Sequence, residues 1–182
     1  MPVAREAEVN GCAVRVVRGD LTAMDVDAVV VEARPDLALG SGHGTALSVR
    51  GGPGIQAELK GLGPLPAGKA VATGGGNLKA RWVVHAVVPR FQEADEERLL
   101  REAVGAALAR AEEKGARSVA LPPLGSGFYG MPVDRCARIV VGASGDYLRG
   151  TGSALREIVF CVKDSHEVAP FQGLVDALGE GR

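Results

Sequence analysis

The segment with the most chemical content is Leu121–Asp134, which reads Leu-Pro-Pro-Leu-Gly-Ser-Gly-Phe-Tyr-Gly-Met-Pro-Val-Asp. Gly125, Gly127 and Gly130 lie between a β-branched run and Pro132, a residue suited to a helix start. Glycine lets backbone approach a ligand closely, and free N–H groups ahead of a helix attract an anion. Such a loop holds phosphate without lysine or arginine. The spacing formally satisfies G-x-G-x-x-G, but a dinucleotide-binding strand–turn–helix needs a tight turn and an acid ~20 positions on. Here Pro122 and Pro123 intervene and position 150 is glycine, so that reading is rejected. A second loop, Gly40-Ser-Gly-His-Gly44, also stands between a strand and a helix start. Ligands of α/β proteins collect outside the carboxyl ends of strands, and two such loops in one crevice fit a diphosphate.

Other reactive side chains carry weaker signals. Ser41 and Ser126 follow Leu39 and Leu124 at the second position before them, so neither forms G-x-S-x-G, and both read as loop serines. His43, His85 and His166 are dispersed without H-E-x-x-H spacing, so no metal site is expected, and His85 among valines reads as a core histidine. Cys136 falls near the second turn of the helix after the second loop. The helix dipole could lower its pKa there; a small buried residue is the favoured reading.

These loops need elements to hold them. β-branched or apolar runs predict strands over Cys12–Arg18, Asp27–Val31, Ala70–Thr73, Trp82–Val88, Ser118–Leu121 and Glu157–Val162. Helices are expected over Thr45–Arg50, Gly54–Leu59, Asp95–Lys114, Val133–Leu148 and His166–Leu178. In the long one, Leu100, Val104 and Leu108 recur every fourth residue beside Leu99, Ala103, Ala107 and Ala111. Asp95, Glu96 and Glu97 suit its first turn, and Gly115 suits a left-handed cap. Alternating strands and helices predict an α/β fold, a three-layer α/β/α sandwich on a mixed, largely parallel sheet. Residues 1–11 are expected to be a flexible N-terminal segment and 12–179 a single domain.

Composition narrows the function classes. The chain has 182 residues, 21 basic against 22 acidic, so it lacks the basic excess of a nucleic-acid or anionic-lipid binder. Neither nucleic acid nor membrane is an expected partner. Only four Phe, two Tyr and one Trp are present, so the core must be aliphatic. The 26 glycines are roughly double ordinary usage and call for positional reasons. Three cysteines without C-x-x-C fit a reducing compartment, and the charged first residues do not form a secretory leader, so a cytoplasmic location is expected.

In order and spacing, the chain from about residue 13 to 178 resembles a macro domain, the ADP-ribose-binding module, particularly stand-alone bacterial and histone-associated members. The family's Gly-Asp-Ile-Thr is matched by Gly19-Asp20-Leu21-Thr22 and its Asp-Ala-Ile-Val by Asp27-Ala28-Val29-Val30. Its glycine-rich first loop and following helix correspond to Gly40–Gly44 and the stretch ending Gly51-Gly52. Gly68-Lys-Ala70, Thr73-Gly74 and Val83-Val84-His85 follow the mid-chain pattern. Gly125-Ser126-Gly127-Phe128-Tyr129-Gly130 stands where the family has Ser-Thr-Gly-Ile-Tyr-Gly. The resemblance implies that Asp20 accepts the adenine amine, with the Leu21 N–H near a ring nitrogen. It implies that backbone N–H groups of Ser126, Gly127 and Phe128, with the loops around Gly40, Gly42, His43 and Gly125, hold the diphosphate, and that Tyr129 packs near the distal ribose. Read alone, Asp20 is more readily an ordinary turn aspartate capping its own backbone.

Departures from the family pattern stand at the ribose end. Asn-Ala-Ala-Asn is replaced by Val31-Glu32-Ala33-Arg34, and a guanidinium cannot offer an amide's donor-plus-acceptor face. The acid that some hydrolases carry in the first loop falls on Gly44, and the adenine-stacking aromatic on Lys163, before Asp164. Arg34 either reaches ligand as a clamp or pairs with Glu32 two residues away. His43 becomes a base only if its loop brings it to the distal ribose. The expected function is binding of ADP-ribose or ADP-ribosylated protein, with no cofactor. An ADP-ribosyl hydrolase or ADP-ribose 1″-phosphate phosphatase, with His43 or Glu32 as catalytic candidates, is the enzyme alternative; a degenerate domain acting through protein contacts is the third.

Overall fold

A computed structural model describes residues 5–40, 42–127, 129–150 and 152–181. Seven strands run β1 (Ala7–Val9), β2 (Cys12–Arg18), β3 (Ala28–Ala33), β4 (Ala70–Gly74), β5 (Trp82–Val87), β6 (Ser118–Leu121) and β7 (Glu157–Val162). Five helices accompany them: α1 (His43–Gly51), α2 (Gly54–Leu59), α3 (Glu96–Glu113), α4 (Val133–Arg149) and α5 (Ser165–Glu180). The sheet order is β1-β2-β7-β6-β3-β5-β4. The five inner strands are mutually parallel, and β1 and β4 close the edges antiparallel. A mixed, largely parallel α/β/α sandwich is therefore the observed architecture.

Nearly continuous apolar runs such as Val29-Val30-Val31 suit strands covered on both faces. On one face Val14, Val30, Val84, Ile158 and Phe160 pack with Leu100, Val104 and Leu108 of α3, Ile139 and Val140 of α4, and Phe171 and Val175 of α5. On the other, Val29, Val31, Val83, Val87 and Val159 pack with Leu47 of α1 and Ile55 and Leu59 of α2. The Asp27 carboxylate accepts from the Arg117 and Ser118 amides at 2.8 and 3.2 Å, and the Asp27 N–H donates to Ser118 Oγ at 2.8 Å. This acid thus locks the starts of β3 and β6 together.

The expectation of a flexible segment over residues 1–11 is corrected at Ala7–Val9, which pairs antiparallel with β2, Val9 opposite Cys12. Ala7 and Val9 are buried while Glu8 faces out. The signal was Asn10-Gly11: both take positive φ, 49° and 80°, as a two-residue hairpin turn requires. Elsewhere the expected elements differ from the observed ones only by short extensions or trims at their ends, where helices and strands fray. Among the described residues, no helix is long and apolar enough to cross a membrane.

Candidate functional site

A cleft of about 780 Å³ opens at the carboxyl ends of β2, β3, β6 and β7. Four segments meet there: Arg18–Leu21 after β2, Glu32–Arg34 at the end of β3 with the following loop into α1, Pro122–Tyr129 after β6, and Cys161–Glu167 around the end of β7. Of the residues singled out from the sequence, Asp20, Leu21, Glu32, Arg34, Gly42, His43, Ser126, Gly127, Tyr129 and Lys163 all line this one cleft. Gly40 and Gly125 stand just behind it. A side chain on Gly40 would sit 3.4 Å from the Arg34 guanidinium, and the Gly125 N–H donates to Glu32 at 2.5 Å. Ser41 and Phe128 lie outside the described residues.

The cleft has two chemically distinct ends. At one, Asp20 precedes the 3₁₀ turn Leu21–Ala23 and caps it. Its Oδ1 accepts from the Thr22 N–H at 2.9 Å and the Thr22 hydroxyl at 2.7 Å, while Oδ2 meets Arg50 of α1 at 2.8 Å. The Thr22 hydroxyl foremost, then its amide, Arg50 and His43, hold the Asp20 carboxyl below the usual range against some burial. His43 belongs to this end. Burial lowers its pKa and nearby Lys163 adds to the effect, while Asp20 and Glu167 act oppositely. Lys163 is fixed through its backbone, since its N–H donates to Glu167 Oε1 at 3.1 Å and Arg18 Nε donates to its carbonyl at 3.2 Å.

At the other end stand Glu32, Arg34 and Tyr129. Burial raises the Glu32 carboxyl pKa, only partly offset by the Gly125 amide. Burial likewise raises the Tyr129 phenol, helped by the charge of Glu32, with Arg90 and Arg34 opposing. Two expectations are corrected here. Arg34 pairs not with Glu32 but with Asp36, at 2.8 Å. It lies just past β3, where the chain turns and Leu37 N donates to the Arg34 carbonyl at 2.8 Å, so strand alternation no longer places it beside Glu32. His43, the candidate base, has Asp20, Lys163 and Glu167 as its charged neighbours, not the Glu32 group, because α1 begins at His43 and runs towards Asp20.

The expected anion holders line the same cleft. Gly42, φ 55°, precedes α1, and no side chain caps the first turn, so the His43, Gly44 and Thr45 N–H groups lack intrahelical acceptors. In the second loop the Gly127 N–H makes no hydrogen bond among the described residues, whereas Ser126 N–H donates to Pro123 O at 3.2 Å. A Cβ at Gly127 would touch nothing within 4 Å. Gly44 is the opposite case, because a Cβ there would come within 3.1 Å of the Leu39 backbone. Cys136 is not activated by its helix: it is fully buried, burial pushes its thiol pKa well up, and its Sγ donates to Leu124 O at 3.0 Å. Cys161, on the cleft floor, is also pushed up by burial, to about 11.

Sequence reasoning missed Arg50, Arg18, Glu167 and Cys161. None sits in a motif. Arg50 ends a helix whose glycine-rich start drew the attention, and only the packing of α1 on the β2–β3 connection brings it to Asp20. Among the described residues, no group of three His, Cys, Asp or Glu is arranged to hold a metal ion.

Known proteins resemble this chain in sequence and in fold. The sequence profile described as Macro domain matches residues 32–140. A macro domain-containing protein of Streptomyces griseus is 41% identical over 166 residues, covering 87% of this chain and 92% of the relative. One from Caldanaerobacter subterraneus subsp. tengcongensis is 39% identical over 153 residues, 81% and 86% of the two chains. In structure, the Oceanobacillus iheyensis macrodomain with ADP superposes with TM-score 0.91 at 22% identity, over 99% of this chain and 98% of that one, which speaks to the fold. The Trypanosoma brucei macrodomain in complex with ADP-ribose gives TM-score 0.83 at 27% identity, over 89% and 68%. On the profile match and these relatives together, the chain belongs to the macro domain family.

Proposed function

We propose that this protein binds ADP-ribose, free or attached to protein, and serves as a reader rather than an efficient hydrolase. The observation that carries the reading is that one cleft gathers three kinds of group. They are a fixed carboxylate acceptor at Asp20, backbone N–H groups at the start of α1 and in the second loop, and a polar group around Tyr129. Adenine amine, diphosphate and distal ribose present a donor, two anions and hydroxyls to such groups. The volume lies within the ~300–1,000 Å³ of small-molecule sites. Asp20 offers an acceptor, and Leu21, first in its 3₁₀ turn, offers an N–H without an intrahelical partner. That pair complements the amine and ring nitrogen of adenine. It opposes a purine that has a carbonyl and a ring N–H there. Lys163 supplies only an alkyl stem where the family has an aromatic ring.

The preference for reading over hydrolysis rests on three features. Gly44 stands where hydrolytic members of the family carry a first-loop acid, and a Cβ there would press against the Leu39 backbone at 3.1 Å. Arg34 stands in place of the ribose-orienting amide, paired with Asp36. His43 shares its end of the cleft with Asp20. One observation favours the enzyme alternative: Glu32, whose carboxyl pKa is raised by burial, stands in the cleft with Tyr129 and Arg34. Calorimetric titration with ADP-ribose, with AMP and ribose 5-phosphate as controls, tests binding. One-to-one binding of ADP-ribose far tighter than either fragment is expected; no heat at millimolar ligand would overturn the reading. Release of ADP-ribose from modified protein by the wild type, lost in Glu32→Gln, would replace the reader by the hydrolase.

A further inference from the structure

Counting acceptor directions on Asp20 points to a residue that tunes base selection. A carboxylate has about four lone-pair directions, two on each oxygen. Both on Oδ1 are occupied, by the Thr22 N–H at 2.9 Å and the Thr22 hydroxyl at 2.7 Å. On Oδ2, one is taken by Arg50 Nη1 at 2.8 Å. A single direction remains, on a side chain 45% exposed that lines the cleft. Thr22 is local to Asp20, two residues away in the same turn. Arg50 is not: it comes from the last turn of α1, whose first turn supplies uncapped N–H groups to the same cleft. Resting on the ADP-ribose reading above, we propose that Arg50 is a positioning residue for base selection, fixing the Asp20 carboxylate so that its one remaining acceptor direction meets an exocyclic amine.

Without Arg50, Thr22 would still hold Oδ1, but rotation about that contact would leave Oδ2 undirected. The Asp20–Leu21 acceptor–donor pair would then lose its geometry towards adenine. A hypoxanthine base, with a carbonyl in place of the amine and a ring N–H in place of the bare nitrogen, gains nothing from that geometry. Its affinity does not depend on Arg50 in the same way. Selectivity arises because a mismatched polar group in the cleft is left without a partner. Arg50 also links recognition of the base to the diphosphate, since one nine-residue helix carries both the anion-facing N-terminus and the arginine. Its side chain is 54% exposed and packs no core, so its replacement leaves the fold intact.

The test is the affinity ratio between ADP-ribose and inosine diphosphate ribose, by calorimetry, for the wild type, Arg50→Ala and Arg50→Lys. The wild type is expected to prefer ADP-ribose by at least about tenfold. Arg50→Ala is expected to lose about five- to tenfold on ADP-ribose and little on the hypoxanthine ligand, the loss equivalent to about one hydrogen bond. Arg50→Lys, which keeps a charge but not the planar fork, should fall between. Unfolding curves of the three proteins check that each is folded. A selective wild type whose Arg50→Ala variant loses both ligands in equal proportion, or binds ADP-ribose unchanged or tighter, overturns the positioning role and leaves ADP-ribose binding standing. A wild type that binds neither ligand overturns both.

Discussion

His85 makes a quantitative prediction about acid stability. It lies in β5 opposite Val31 of β3, one residue before Glu32 in the cleft, and is fully buried. Its Nε2 meets Thr73 Oγ1 at 2.9 Å, and that hydroxyl is 3.1 Å from the Gly74 carbonyl. With the hydroxyl proton directed to the carbonyl, the ring donates from Nε2, and Nδ1 is a bare nitrogen without a partner. Protonating it would put a charge in the aliphatic layer under α2, and burial lowers its pKa from 6.5 to about 4. The unfolded chain takes up a proton below pH 6.5 while the folded chain does not until about 4. Stability attributable to this residue is therefore intact above 6.5, falls as pH drops through that window, and levels off below it. The gap corresponds to about 3 kcal/mol, with a slope no steeper than about 1.4 kcal/mol per pH unit. Urea denaturation of wild type and His85→Leu between pH 7.5 and 4 measures it. Leucine removes the titrating ring while Thr73 keeps its bond to Gly74. The difference between the two curves isolates His85 from the carboxylates, which contribute equally to both. Expected is a difference that shifts by about 3 kcal/mol in favour of the variant as pH falls. Parallel curves throughout would refute the reasoning, because the ring would then titrate alike in the folded and unfolded chain.

Two predictions concern the cleft. Gly127→Glu, where an added Cβ meets nothing within 4 Å, should leave the unfolding temperature near that of the wild type and abolish tight ADP-ribose binding. A carboxylate about 5 Å from a phosphate charge, at an effective dielectric of ~20, costs about 3 kcal/mol, or roughly a hundredfold; unchanged calorimetric affinity in the folded variant would refute the phosphate role of that loop. Ionised Glu32 stands under the second loop and opposes an anionic ligand, and its raised pKa lets mild acid discharge it before an ordinary carboxyl. ADP-ribose affinity, measured from pH 7.5 downwards, should therefore rise as Glu32 takes up its proton. Glu32→Gln, whose amide oxygen still accepts from Gly125, should bind more tightly at pH 7.5 and keep only the part of the pH dependence due to His43. Identical pH profiles in the two proteins would show that Glu32 does not face the ligand's charge.

Much of this protein was legible in its sequence because the relevant forces act locally. The valine runs of β3 and β5, the four-residue recurrence of Leu100, Val104 and Leu108, and the two glycine-rich loops announce themselves through backbone preference and side-chain periodicity. Asn10-Gly11 announced a hairpin just as plainly, although the strand before it was too short to stand out by alternation. Tertiary structure decided what depends on residues far apart in the chain. It buried Glu32 against the Gly125 amide, while a local turn after β3, not strand alternation, sent Arg34 to Asp36. It set His43 beside Asp20, silenced the Cys136 thiol by burial, and brought Arg50 across to a carboxylate thirty positions earlier. Local sequence sets which groups exist and which backbone they ride on. Their pairing and ionisation follow from desolvation and from charges a few ångströms away, and those distances come into being only when helices close over the sheet.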